Sequence, residues 1–411
     1  MKEKKLVVIG GGAAGFFCAV NAARMNTGLE VVLLEKSNKL LSKVKVSGGG
    51  RCNLTHACFD IAEMSEKYPR GKNFVKKTFH RFFTSDTIKW FEEREVPLCT
   101  EDDGRMFPLS HSSSSIIDCL LEEADKYNVD IRIQKDVSSI EKINAEFVIH
   151  LADGEKIKSD FICIATGGFS KPEQFDWIRN LGHEVENPVP SLFTMNLPQH
   201  PITELMGVAV EDVIVKVSGT KLKERGPVLI THWGLSGPAV LRLSAWGARL
   251  LHDMDYDFSI QVNWCPEQNQ ETVRNLIQDY RQFNGAVFIG SKNPFDLPHR
   301  LWLFILKVCG IDNGTRWSDL SSKGQVQLIE TLTNHTFHVK GKTTFKEEFV
   351  TAGGVLTSEI DVQTMESKKV PGLYFAGEIM NVDGITGGFN FQHAWTSSWI
   401  AAEAIARAGS K

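Results

Sequence analysis

Residues 6–15, Leu6-Val7-Val8-Ile9-Gly10-Gly11-Gly12-Ala13-Ala14-Gly15, decide how this chain begins to fold. Four apolar residues in a row predict a buried strand. The glycine run after them predicts a tight turn into a helix from about Ala13 to Met25. A second apolar run, Glu30-Val31-Val32-Leu33-Leu34, ends at Glu35, 20 residues after Gly15. Together they form one βαβ unit whose turn fits G-x-G-x-x-G at Gly10, Gly12 and Gly15. Gly10 permits the turn, Gly12 lets a pyrophosphate approach the backbone, and Gly15 lets the helix pack close on the strand. The helix start offers unpaired N–H groups to phosphates, and Glu35 can accept bonds from ribose hydroxyls.

The 411 residues are too many for one simple core and predict two or three domains. Hydrophobic content of 42% and charged content of 23% are ordinary for a globular chain in water. Lys+Arg 46 against Asp+Glu 50 leaves a formal charge of −4 with no basic block, so no nucleic-acid partner is expected. The eight cysteines form no C-x-x-C pair, which argues against a zinc ribbon or a thioredoxin motif, and no metal site is expected. Lysines at 2, 4 and 5 before an apolar stretch resemble a signal peptide, but the dinucleotide unit explains that stretch better. No apolar run reaches membrane-spanning length. A cytoplasmic monomer or homodimer acting on a small molecule, with no membrane partner, is the expectation.

Three further segments belong with the first. Ser47-Gly48-Gly49-Gly50-Arg51-Cys52-Asn53 places three bare glycine amides where they can lie against a flat or anionic group. Arg51 could neutralise developing negative charge there and Asn53 could bond ring heteroatoms; a flexible loop with a surface arginine explains the segment as well. Asp160-Phe161-Ile162-Cys163-Ile164 runs into Ala165-Thr166-Gly167-Gly168, a small-residue turn suited to a strand end beside a cofactor or to a plain connection. Near the C-terminus, Leu373-Tyr374-Phe375-Ala376 ends at Gly377-Glu378, and Asp383 precedes Gly387-Gly388, which open a last helix from about Phe389 to Ala408. An acid after the strand could hold a sugar-alcohol chain, and the helix start would face a reduced, anionic ring. A nicotinamide needs no such second helix start, whereas a flavin does.

Between these halves lies an insert. Residues 188–265 carry alternating runs such as Val213-Ile214-Val215-Lys216-Val217, which predict an antiparallel sheet or small barrel. Residues 266–335 switch to helical spacing and predict a helical cap, with 336–342 as a return strand to the β domain. The cofactor domain is then 1–187 with 343–411. Ile230 to Pro238 reads as a strand feeding a helix with proline in its first turn. Its His232 or Trp233 could lie over the cofactor; alternatively this is a crossover with Ser236 as N-cap. Ser112–Ser115 read as a helix start. Cys52 and Cys58 read as buried structural thiols, and His393 and Trp395 as helix-face core residues.

GGGAAG at 10–15, SGGGRCNLTH at 47–56, EDDGRMFP at 101–108, ATGGFSKPE at 165–173, THWGLSGPAVL at 231–241 and the 353–392 stretch carrying TMESK now sum to a resemblance. The chain resembles the BaiN-like bacterial flavoproteins, the aminoacetone oxidase family, over nearly its whole length. The resemblance implies an α/β fold: a Rossmann-type FAD-binding domain formed by both chain ends, an inserted antiparallel β domain, barrel-like, and a small helical domain. It implies FAD, with NAD(P)H as a transient electron donor. To Gly10, Gly12, Ala13, Ala14, Gly15, Glu35, Ser47–Asn53, Ala165–Gly168, Gly377, Glu378, Asp383, Gly387 and Gly388 it adds Lys36, Lys43, Val137, Phe389, Asn390 and Phe391 as cofactor contacts. Arg51, Asn53 and His232 are the candidate catalytic residues. The chain lacks a second G-x-G-x-x-G unit, so hydride must reach the flavin from a substrate or a docking nicotinamide. The enzyme readings are an enone or oxo-group reductase and an amine or aminoketone oxidase passing electrons to oxygen. A flavin-bound sensor is the non-enzymatic rival.

Overall fold

The computed structural model describes residues 4–344 and 350–410, and chain contacts divide it into two units, Met1–Pro190 with Phe345–Lys411 and Ser191–Thr344. In the first unit, strands Lys4–Ile9, Leu29–Leu34, Asp130–Arg132, Phe161–Ile164 and Leu373–Phe375 form one sheet. Its order is 373–375, 161–164, 4–9, 29–34, 130–132, and every pairing is parallel. Parallel strands are covered on both faces and so read as unbroken apolar runs, as Leu6-Val7-Val8 and Val31-Val32-Leu33 do.

Register decides where function can sit. Ile9 pairs with both Leu34 and Ile164, and Ile164 pairs with Phe375, so these strands end at one level. Ala376, Ala165, Gly10 and Glu35 therefore follow one another along a single carboxyl edge, where open α/β sheets bind ligands. Helices Ala13–Met25 and Phe389–Gly409 pack on each other, with the Ser398 hydroxyl donating to Ala14 O at 2.8 Å. Phe17 stands in an aromatic cluster with Trp90, Trp395 and Phe82 at centroid distances of 4.7, 5.2 and 5.7 Å. Such pairs contribute about 0.5–1.5 kcal/mol each beyond the area they bury. The chain's last helix thus completes a Rossmann-type domain begun by its first thirty-four residues.

The second unit is built on a seven-stranded antiparallel sheet. Its order is His335–Lys340, Asp257–Asn263, Ala209–Val217, Lys223–Ile230, Gly234–Ser236, Thr194–Asn196, Lys342–Thr343. Val213, Val215, Val217, Ile260, Val262, Phe337 and Val339 alternate onto one face. Helices Gln270–Phe283, His299–Val308 and Ser322–Asn334 share that hydrophobic core, which buries Trp302 and Trp317 completely.

One local reading changes. Residues 230–238 do not run as one strand into a helix: a turn at 231–233 separates Lys223–Ile230 from Gly234–Ser236. Ser236 is not the N-cap of helix Pro238–Trp246. Gly237 holds that position at φ +92°, and the Ser236 hydroxyl accepts from Thr194 Oγ1 at 2.9 Å. At 112–115 the helix starts as expected, at Ser114, and the Ser112 hydroxyl accepts from Ser114 N at 3.3 Å. Among the described residues no helix is long and apolar enough to cross a membrane.

Candidate functional site

The glycines of the first turn divide by what surrounds them. A Cβ on Gly10, at φ +118°, would collide with the backbone of Ala165, and one on Gly15 would overlap the Gly10 carbonyl. Those two are required by the fold itself. Gly12 is different. Its φ of −95° suits any residue, and a Cβ there would meet nothing within 4 Å. Only space lies in front of it, at the start of a helix whose cap makes no side-chain bond. This is the geometry a pyrophosphate needs: bare N–H groups, an open approach and the positive end of a helix.

Glu35 braces the same turn, its Oε2 accepting from Gly11 N at 2.9 Å and its Oε1 from Ser37 N at 2.8 Å. Beside it opens a cavity of about 260 Å³, lined by Ile9, Gly10, Leu34, Glu35, Lys36, Lys135, Asp136, Val137, Thr166, Phe169, Glu173, Gln174 and Trp177. An acid, a carbonyl-rich strand end and two aromatic side chains suit a nucleoside. Lys135, Asp136 and Trp177 had no motif to announce them, and Phe169 lies within the 165–173 motif with no role assigned to it. Lys135 and Asp136 precede Val137, and Phe169 and Trp177 follow the Ala165–Gly168 turn.

Helix Ser42–Gly50 loses helical geometry at Ser47–Gly49. Gly48, Gly49, Gly50 and Cys52 are all left-handed, at φ +58°, +69°, +85° and +62°. Gly48 is wedged, since a Cβ would come 2.8 Å from the Phe107 ring, whereas a Cβ on Gly49 would meet nothing within 4 Å. One face of the glycine run is anchored and the other is open. Arg51 donates to Glu101 Oε1 at 2.6 Å and lies 4.1 Å over the Phe107 ring. Glu101 also pairs with Arg105 at 2.7 Å, so one carboxylate is shared by two guanidinium groups. Burial pushes the Cys52 thiol up to about 12, and Cys58 is raised for the same reason. Both are inert as thiolates near neutral pH.

The following residues build the start of the last helix. With its amide oriented to satisfy both groups, Asn53 accepts from Gly388 N at 3.0 Å and donates to Thr55 O at 3.1 Å. His56 Nδ1 lies 3.0 Å from Gly387 O, and its ring stacks on Phe389 at 4.6 Å. The Trp395 indole donates to Leu54 O, and Thr55 donates to Gln392 Oε1 at 2.6 Å. From the other side, the Tyr68 hydroxyl donates to Phe389 O at 2.6 Å. Arg70 grips the fully buried Asp383 through Nε, 2.6 Å, and Nη2. Asn390 closes the Gly384 turn through both ends of its amide. Glu378 accepts from Lys43 Nζ at 2.6 Å and from Thr351 N at 2.8 Å.

The first unit therefore carries every sequence-derived cofactor residue, on one sheet edge and the loops around it. Asp383 is committed to Arg70, and Asn53 to the helix start. His232 lies in the second unit, in an exposed turn, its ring 4.7 Å from that of Trp233. His393 and Trp395 are core residues. Trp395 is satisfied, but neither ring nitrogen of His393 has a hydrogen-bond partner, and burial pushes that imidazole down to about 4. His56 and Glu101, which hold the Gly387 corner and Arg51, sit inside quoted motifs; only their partners were illegible.

Two anion-compatible helix starts, an open glycine cradle and a nucleoside-sized cavity fit a two-ended cofactor such as FAD. Known proteins agree. The HI0933-like protein Rossmann domain family matches residues 4–404. The chain is 33% identical to the ribosomal RNA dihydrouridine synthase of Escherichia coli, covering 100% of each chain. It is 27% identical to the 3-dehydro-bile acid delta(4,6)-reductase of Clostridium scindens, covering 98% of this chain and 99% of that one. Its fold is similar to that of a flavocytochrome c3 fumarate reductase, with TM-score 0.53 at 14% identity over 99% of this chain and 79% of that one. The chain belongs to the HI0933-like Rossmann family and is a flavin-dependent oxidoreductase of the BaiN-like kind.

Proposed function

We propose that this flavoprotein reduces a carbon–carbon double bond conjugated to a carbonyl, and that the bond is C5=C6 of a uridine in ribosomal RNA. The observation carrying this reading is that two end-to-end relatives bear names describing one operation on unrelated molecules. Dihydrouridine is uridine saturated at C5=C6, next to the C4 carbonyl. A delta(4,6)-reductase saturates a double bond conjugated to a 3-oxo group. The higher identity falls on the RNA enzyme, so RNA is taken as the partner although the overall charge balance pointed away from nucleic acid.

When bound, FAD supplies the hydride for such a step. The chain's own residues hold and polarise. Gly12 and the first helix start would receive the pyrophosphate, and Glu35 with the Lys36–Val137 cavity would receive the nucleoside. Gly49 and the amides around it would hold the ring, and the Gly388 helix start would favour the negative charge of its reduced form. Arg51, kept in place by Glu101 and Phe107, contributes positive charge to the same region. With the uridine as hydride acceptor, the electrons come from NAD(P)H, and its docking is transient because the sequence has no second dinucleotide fingerprint.

Anaerobic reoxidation tests the assignment. The flavin is photoreduced and mixed separately with ribosomal RNA, a 3-oxo-4-ene steroid and an aminoketone. Rapid reoxidation by RNA alone is the expected result. Reoxidation by the steroid alone keeps the chemistry and changes the substrate. Peroxide formation from the aminoketone in air, with no reoxidation by either acceptor, would replace the reductase reading with an oxidase.

A further inference from the structure

We infer that the solvent face of the second unit's sheet is a landing surface for the RNA phosphodiester backbone, an inference that rests on the RNA reading above. Lys216 and Lys223 are directly opposite each other on adjacent antiparallel strands, and both are exposed. Their neighbours Val215 and Val217 are buried, so strand alternation turns Lys216 to the open face. Like charges at directly opposed positions destabilise a sheet, and nothing in the core asks for them. On the far side, Lys216 pairs with Gln261, which pairs with Thr336, so the row carries no acid to neutralise the lysines.

The surrounding charges sharpen the asymmetry. Lys221 is exposed in the turn joining these strands, and Lys340 is exposed on the same face of the sheet. Acids are fewer here and largely taken up: Arg225 pairs with Asp212 and Glu267, Glu224 points to the other face and pairs with Arg242, and Asp257 lies opposite Lys340 at the sheet's far side, away from the Lys216–Lys223 row. The Lys223–Lys216 pair, continued along its row by hydrogen-bonding Gln261 and Thr336 and by no acid, matches a sugar–phosphate chain. Lysine acts there as a point charge toward phosphate, without sequence readout. This reconciles a chain of net −4 with an RNA partner, because the positive charge is local.

The test is the triple variant Lys216→Gln/Lys221→Gln/Lys223→Gln, purified with its flavin. Binding of ribosomal RNA is measured against salt, and dihydrouridine formation is measured in the same preparations. The face predicts an affinity loss of about tenfold or more at low salt and a log–log salt slope shallower by about 2, with flavin content unchanged. Wild-type slope and affinity in the variant would overturn the face while leaving the uridine reading intact. Binding that falls as expected, in a protein that never forms dihydrouridine, would support the face and sink the uridine reading.

Discussion

Asn53 and Gly388 meet at 3.0 Å, the asparagine side-chain oxygen accepting the N–H of the residue that caps the last helix. They are 335 residues apart (388 − 53), and their contact fixes where the helix's positive end points. Asn53→Ala leaves a buried N–H and a buried carbonyl unpaired, and is expected to lower unfolding free energy by about 1–3 kcal/mol. It should also shift the flavin reduction potential, which a purely structural loss would not move. Asn53→Asp, which keeps the acceptor, should restore part of the stability; denaturant titration and potentiometry read the two effects separately.

Gly12→Val should fold normally and bind no FAD, because its side chain enters space that no protein atom occupies. Gly15→Val should fail earlier, since its Cβ overlaps the Gly10 carbonyl. Circular dichroism and flavin absorbance distinguish the outcomes. A yellow Gly12→Val protein would remove the pyrophosphate from that turn.

Arg70→Ala strands the Asp383 carboxylate, which is fully buried, without its bidentate partner. Removing one member of a buried pair costs about 3–5 kcal/mol, so the variant should melt well below the wild type. Replacing both residues, Arg70→Met with Asp383→Asn, should recover much of that loss.

Acid should unfold this protein through its buried histidines. Burial pushes His335 and His393 down to about 4, against about 6.5 in an unfolded chain. The unfolded state binds these protons first, so their stabilising contribution is full above about pH 6.5 and is lost as pH falls toward 4. His183 adds to the trend: it is also lowered by burial, and neutral it links Glu359 to the Ser367 hydroxyl. His393→Leu should shrink the loss between pH 6.5 and 4 by up to about 3 kcal/mol, read from urea unfolding at each pH.

What was legible in the sequence was local and periodic. The strand–glycine–helix unit was visible because buried parallel strands are continuous apolar runs and because Gly10 and Gly15 have no steric substitute. The last helix was visible through Gly387-Gly388 and its long apolar face. Non-local pairing was not legible. Nothing in SGGGRCN says that Asn53 holds Gly388, that Glu101 holds Arg51, or that Arg70 claims Asp383, because each partner lies 50 or more residues away. Ser236 failed as a cap for a related reason. Gly237 is dictated by the backbone of Val228 and Leu229 pressing on it from the neighbouring strand. Trp177 was missed because the short helix that carries it has no periodicity to read.

The most direct test of the central claim is mass analysis of ribosomal RNA after incubation with purified, flavin-loaded protein and NAD(P)H. The account predicts that a uridine-containing fragment gains the mass of two hydrogens, that the gain requires both flavin and reductant, and that Gly12→Val abolishes it. Unchanged RNA, from protein whose flavin is reduced and reoxidised by another acceptor under the same conditions, would contradict it.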